Sequence, residues 1–280
     1  MIDLDFLERT YFWFDKPVKY LLKGDVEVTI TPVSVEDSEM FVSWIDIISI
    51  DKNALSNPLY ISMSYLEFLV SAFFSAQEEE LRKLSITKFV NILKLCLGFD
   101  GRIDIKLNER QKPTIVYGDI VITAKEFEDI RRIILYQNLL DFDDSYVNPD
   151  VKQAVDEVNE MKNKGIESPT LERKMAIITA HTGLSKKVQM EMTFRSHNVL
   201  FREVYGEVEY TSARTGIMVG NMFAKKKIDM DDWIYKKKKN KYEDYFVAQD
   251  EYSNSMGGAK NIHATDNASV DLTEFSSLIK

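Results

Sequence analysis

Asp141, Asp143 and Asp144, the histidines at 181, 197 and 263, the lone Cys96 and two runs of lysine are the residues whose chemistry could go beyond packing. The aspartates have the density of a calcium loop but not its spacing. A loop opening at Asp141 needs glycine at its sixth position and glutamate at its twelfth, and this chain has Tyr146 and Lys152 there. His181, His197 and His263 have no carboxylate or cysteine at ligand spacing, so His181 and His197 read as helix-face residues rather than metal ligands. Cys96 sits in NILKLCLGF and reads as a small core residue. There is no phosphate-cradling glycine loop, no HExxH and no nucleophile elbow. The reading is therefore of a protein that is not an enzyme, with no cofactor and no metal.

Basic residues come next. Lys225 to Lys227 and Lys236 to Lys239 with Lys241 form two clusters, the second beside Tyr235, Tyr242 and Tyr245. Lysines interleaved with aromatics can hold single strands. Asp229, Asp231, Asp232, Glu243 and Asp244 interrupt them, which favours a solvated helix end or a contact for an acidic partner. Leu171 to Val208 has the outline of a helix-turn-helix, with Arg195, Arg202 and Arg214 assigned to the exposed side of its last helix. Glu203, Glu207 and Glu209 on the same helix oppose phosphates. With a net charge of -9 the chain is also ill suited to coating nucleic acid.

Protein surface is the remaining chemistry. Large aromatics are what interface anchors are made of, and Trp13, Phe14, Trp233 and Tyr235 are the candidate partner-binding residues. The composition, 45% hydrophobic and 29% charged, is that of a globular chain. One cysteine fits a reducing cytoplasm. MIDLDFLERTYFWFD lacks a basic n-region, so no signal peptide is expected, and no run is long and apolar enough for a membrane span.

The elements that must position these residues are well marked. Thr123 and Glu126 form a capping box, Ile122 and Phe127 a hydrophobic staple, and Phe127, Ile130, Ile133, Ile134 and Leu140 recur at helical spacing. Glu128, Asp129, Arg131 and Arg132 then fall on the wet side of that helix, 124–140. Before it, 27–33 reads as a strand, Ser34 with Asp37 as the cap of a helix through Ile48, and Ser64 with Glu67 as the capping box of another. A helix from about Thr87 to Leu97 closes at Gly98, and 103–107 with 114–122 forms a hairpin broken at Tyr117-Gly118-Asp119. After Leu140 strand patterns stop. Asn148-Pro149 and Ser168-Pro169 open helices that end at Gly165 and Gly183. A short helix 185–190 and a long one from Thr193 follow, and Trp233 to Tyr235 suggests a last short helix packing back. After Tyr245 the chain is polar, which predicts a mobile tail. The expectation is a mainly helical α+β protein, with a small antiparallel sheet and helices in 1–140, a helical bundle in 141–245 and a flexible tail at 246–280.

Four blocks, in this order, carry a family resemblance: DKNALSNPLYISMSYLEFL (Asp51 to Leu69), FEDIRRIILYQN with its DDSYVNP continuation (Phe127 to Pro149), SPTLERKMAIITAHTGLS (Ser168 to Ser185), and EVYGEVEYTSARTGIMVG before Asp232-Trp233. Together they resemble tail assembly chaperones from the tail modules of phages of Gram-positive bacteria, over residues 26 to 235. The chain departs from that pattern near Phe223 to Lys227, where lysines follow the MVGNM stretch directly. The resemblance implies a non-catalytic protein of the infected host cytoplasm that binds the tape measure protein, a long helical chain, and helps tail tube subunits assemble around it. The alternatives are a virion structural protein of the tail or connector and, second, a DNA-binding regulator. Whether the chain forms a homo-oligomer is open at this stage.

Overall fold

The computed structural model describes residues 2–50, 52, 58–75, 79–144, 149–165 and 167–223. In chain order these give α1 (Leu4–Thr10), a 3-10 turn (Phe12–Phe14), β1 (Val18–Leu21), β2 (Glu27–Ile30), α2 (Ser38–Ser49), α3 (Pro58–Ser62), α4 (Tyr65–Ser75) and α5 (Glu79–Leu97). Then follow β3 (Asp104–Leu107), β4 (Pro113–Tyr117), β5 (Ile120–Thr123), α6 (Ala124–Asn138), α7 (Pro149–Asn163), α8 (Leu171–Thr182), α9 (Lys186–Glu191) and α10 (Phe194–Phe223). The protein is a mainly helical α+β fold with two small antiparallel sheets, β1-β2 and β3-β4-β5. The described residues fall within one unit, Met1–Tyr235. The expected tail, 246–280, lies outside them.

α6 is the central element. Thr123 Oγ1 accepts from the Glu126 amide while the Glu126 carboxylate accepts from the Thr123 amide at 2.8 Å, so the capping box is complete. Ile122 and Phe127, the staple, are both buried. Phe127, Ile130, Ile133, Ile134 and Leu135 carry the core side of α6 and have no exposed surface. Against them pack Leu66, Leu69 and Phe73 of α4, Phe89 and Ile92 of α5, and Phe41 and Ile48 of α2. The rings of Phe73, Phe89 and Phe127 follow one another at 5.8 and 5.5 Å, edge or tilted, as aromatic quadrupoles prefer. Cys96 is fully buried in the same core, and burial pushes its thiol pKa up.

The polar side of α6 is only partly wet: Glu128, Asp129 and Arg132 are half-buried, and Arg131 is not on it. Arg131 is buried: its guanidinium lies 3.6 Å from the centre of the Tyr65 ring and its Nε donates to Ile48 O at 2.6 Å, at the end of α2. Period alone assigns Arg131 to solvent, but a neighbouring ring and an orphan helix carbonyl give its charge a place inside. Glu128 accepts from the Tyr65 amide at 3.0 Å, Asp129 from Tyr20 Oη at 3.0 Å, and Arg132 grips Asp144 with two bonds of 2.7 and 3.0 Å. The helix ends at Asn138, short of Leu140, because Asn138 closes it: its Nδ2 donates to Ile134 O and its Oδ1 accepts from the Val33 amide.

Other boundaries shift for local reasons. β1 pairs with β2 around a turn at Gly24 (φ +90°) and Asp25 (φ 61°); VKYLL carries no alternation of its own and is a strand because β2 lies beside it. β2 ends at Ile30, and Val33 to Val35 instead meet the start of α10, where Phe194 N donates to Val33 O at 2.7 Å and Ser34 bridges Thr193. Ser34 and Asp37 bond to each other, but Asp37 caps α2 without a side-chain bond. The Ser64–Glu67 box forms as expected. The cap of α8 is Thr170, whose Oγ1 accepts from the Arg173 amide, rather than Ser168. Asn148 lies outside the described residues.

Loss of the α6 cap should be measurable. Thr123→Ala is expected to lower the unfolding free energy in urea by about 1 kcal/mol. Thr87→Ala, which removes an exposed hydroxyl on α5, should stay within about 0.5 kcal/mol of the parent.

Candidate functional site

α8, α9 and α10 meet on one buried polar side chain. Gln189 of α9 has no exposed surface; its amide nitrogen donates to Thr179 Oγ1 at 2.9 Å and to the carbonyls of Leu184 and Met175 at 3.1 and 3.2 Å. Its oxygen lies 3.3 Å from Nε2 of His197, also fully buried, on the first turn of α10. Arg195, one residue from the α10 start, is held by Glu8 at 2.6 Å and by Tyr136 O at 2.9 Å. Its side chain is 12% exposed, so it is not part of an exposed basic face. These contacts fix the direction in which α10 leaves the body.

Along α10, Phe194, His197, Phe201, Val204, Val208, Thr211, Thr215, Met218 and Met222 alternate spacings of three and four, the pattern of a helix–helix seam. Thr215 satisfies its hydroxyl on Thr211 O within the helix. The first part of the stripe is covered, with His197 and Val204 buried and α10 packed on α8 and α6. Beyond Val204 no residue of α10 is buried. Met218 is 62% and Met222 78% exposed, and Val208, Val219 and Phe223 are exposed beside them. The stripe is thus covered at one end and open at the other, with Thr211 and Thr215 between its apolar ends.

At the covered end lies a cleft of about 650 Å³. Leu139, Leu140 and Phe142 after α6, Pro169 before α8 and Phe194 with Phe201 on α10 give it apolar walls. Its polar groups include Asn138, Asp141, Lys174, Asn198 and Arg202. Arg202 pairs with Asp141. Lys174 has no carboxylate at ion-pair distance among the described residues; its Nζ donates to Asn198 Oδ1 at 3.2 Å and stands 5.5 Å from the centre of the Phe201 ring. Partial burial, and then the nearby charge of Arg202, hold the Lys174 pKa below its ordinary value. A separate recess of about 480 Å³ gathers Lys23, Arg110, Lys112 and Lys125 at the starts of α4 and α6. The capping boxes already satisfy those helix ends, and Glu67 lies 3.5 Å from Lys112.

The residues nominated from sequence are dispersed. Trp13 and Phe14 stand out from the 3-10 turn, 61% and 62% exposed, while their neighbour Phe12 is buried and anchors the turn. Trp233 and Tyr235, and both lysine runs, lie outside the described residues. Asp144 is committed to Arg132 and to Tyr136 Oη at 2.8 Å. Among the described residues no three His, Cys, Asp or Glu side chains converge as a metal would require, and no helix is long and apolar enough to cross a membrane. Sequence reasoning missed Lys174, Phe201 and Arg202 as a group; the run of 3-4 spacings from Phe194 to Met222 marks α10, which carries Phe201 and Arg202, but no spacing links Lys174 of α8 to them. Compared with protein families, curated proteins and solved structures, the chain matches none.

The His197 environment sets a pH dependence. Burial first, and then the charge of Lys174, hold its pKa below the ordinary 6.5, and its Nδ1 has no hydrogen-bond partner among the described residues. Protonation therefore favours the unfolded chain. The stability associated with neutral His197 is complete above 6.5 and is lost as pH falls from there through the lower folded value. The melting temperature of the parent should drop more steeply between about pH 7.5 and about pH 5.5 than that of His197→Met.

Proposed function

We propose that the protein is a non-catalytic, polypeptide-binding factor of the phage tail assembly chaperone type, which binds the tape measure protein in the host cytoplasm and aids assembly of the tail tube. The observation that supports this reading most is the open stripe of α10, Val208 to Met222, continuous with the part that α8 and α6 cover. Side chains at alternating three- and four-residue spacing form a ridge that packs into the groove of another helix. A long amphipathic chain docked there would remove the exposed methionines from water, each fully buried side chain contributing about 1.5–3 kcal/mol. Methionine suits such a surface because its unbranched, polarisable side chain adapts to different partner helices. Trp13 and Phe14 are proposed as a second, smaller contact. The same stripe also favours a second reading, a structural component of the tail or connector, because a permanent neighbour would cover it equally well. A DNA-binding regulator draws less support, since Arg195 is engaged within the fold and the exposed Glu203, Glu207 and Glu209 share α10 with Arg202.

Co-expression with the tape measure protein, followed by pull-down, tests the reading. A complex is expected with the parent, and Met218→Asp combined with Met222→Asp should weaken it by about tenfold or more while leaving the melting temperature of the free protein unchanged. Absence of a complex with the parent, together with stoichiometric copies in purified particles, would favour the structural component instead.

A further inference from the structure

Lys174 and Arg202 stand in the same cleft, near enough for the charge of Arg202 to depress the Lys174 pKa. Two like charges brought together at a partly desolvated site cost free energy unless a counter-charge joins them. Arg202 has one in Asp141, but that pair is well exposed, with side chains 51% and 78% accessible. Exposed pairs are held weakly and exchange readily for another carboxylate. Among the described residues, Lys174 has the neutral Asn198 and the Phe201 ring as its partners. Of the charged groups that line the cleft among the described residues, two are positive and one negative, so one positive charge is in excess.

We propose that this cleft seats an acidic side chain of the bound polypeptide, its carboxylate between Lys174 and Arg202 and an adjoining apolar side chain against Phe142, Phe194 and Phe201. The proposal rests on the polypeptide-binding reading above and adds what the bound segment must look like, an aspartate or glutamate next to a large apolar residue. A cleft of this size lies within the range of about 300–1,000 Å³ that ligand sites occupy. A polyphosphate or nucleic acid brings several negative charges, which the single positive charge in excess in this cleft cannot balance. The apolar walls argue the same way, since six aliphatic and aromatic side chains offer nothing to a free inorganic anion. The cleft opens at the covered end of the α10 stripe, so a chain lying along α10 can reach it without leaving the helix surface.

The test uses the full chain and a fluorescently labelled, end-blocked peptide of alternating aspartate and phenylalanine, with the asparagine–phenylalanine peptide as its uncharged match. Anisotropy titration should show saturable binding of the acidic peptide and about tenfold weaker binding of the asparagine peptide, the loss of one charge-assisted contact. Lys174→Met and Arg202→Met, which keep the apolar stems, should each weaken the acidic peptide by a similar factor and leave the asparagine peptide unaffected. Circular dichroism melting of both variants checks that the fold is intact. No saturable binding, equal binding of the two peptides, or binding indifferent to both substitutions would overturn the proposal. So would displacement by inorganic phosphate at concentrations equal to those of the peptide, which would identify a simple anion site. A tape measure complex that survives both substitutions, with no peptide binding, sinks this inference alone. Peptide binding without a tape measure complex sinks the assignment of partner and leaves the site.

Discussion

Glu126, Arg131 and Asn138 stand on one helix, and each fastens a different neighbour to it. Glu126 is buried and accepts from the amides of Thr123 and Lys23, so the start of α6 also holds the turn between β1 and β2. Burial opposes its ionisation, yet the hydroxyl and amide donors around it outweigh that and keep its pKa below the usual carboxylate value. Arg131 closes the end of α2 and covers Tyr65 of α4, and Asn138 holds the segment after β2. Apolar contact alone would bring these elements together without fixing their register; directional bonds from a single rigid helix fix it. If α6 is displaced, every one of those elements loses a bond as well as a packing face.

The same economy continues toward the C-terminal helices. Tyr136 O of α6 accepts from Arg195, and backbone bonds from Val33 and Val35 meet Phe194 and Met192. The start of α10 is thereby set on the N-terminal elements, while Gln189 and His197 lock α8 and α9 against it. Among the described residues, the last buried side chain of α10 is Val204. Its remaining turns carry the stripe outward with no buried residue, so they draw no stability from packing on the body.

Local chemistry was legible in the sequence, and contacts between distant segments were not. Both capping boxes, Ser64–Glu67 and Thr123–Glu126, were readable because the partners lie three residues apart and need nothing else. Gly183 in the left-handed region (φ 74°) ends α8 as its sequence context suggested, since a side chain there is strained. Arg131 was assigned to solvent because its burial depends on Tyr65 and on the last turn of α2, each remote in sequence. β1 was missed because its strand character comes from β2. The cleft belongs to the same class: Phe142, Lys174 and Arg202 come from three separate segments, and no spacing announces that they share a cavity. The N-terminal aromatics show both outcomes, since Phe12 is core and Trp13 and Phe14 are surface within a single turn. Only the tertiary packing decides which.

A protein that acts by docking another chain along α10 should alter the backbone dynamics of that helix when it binds. Hydrogen–deuterium exchange of the full chain, alone and with the tape measure protein, measures this residue range by residue range. Amides of residues 205–223, in turns that no buried side chain supports, should exchange fast in the free protein and slow markedly in the complex, because docking raises the cost of local opening. Unchanged exchange over 205–223, with protection confined to other elements, would contradict docking along α10.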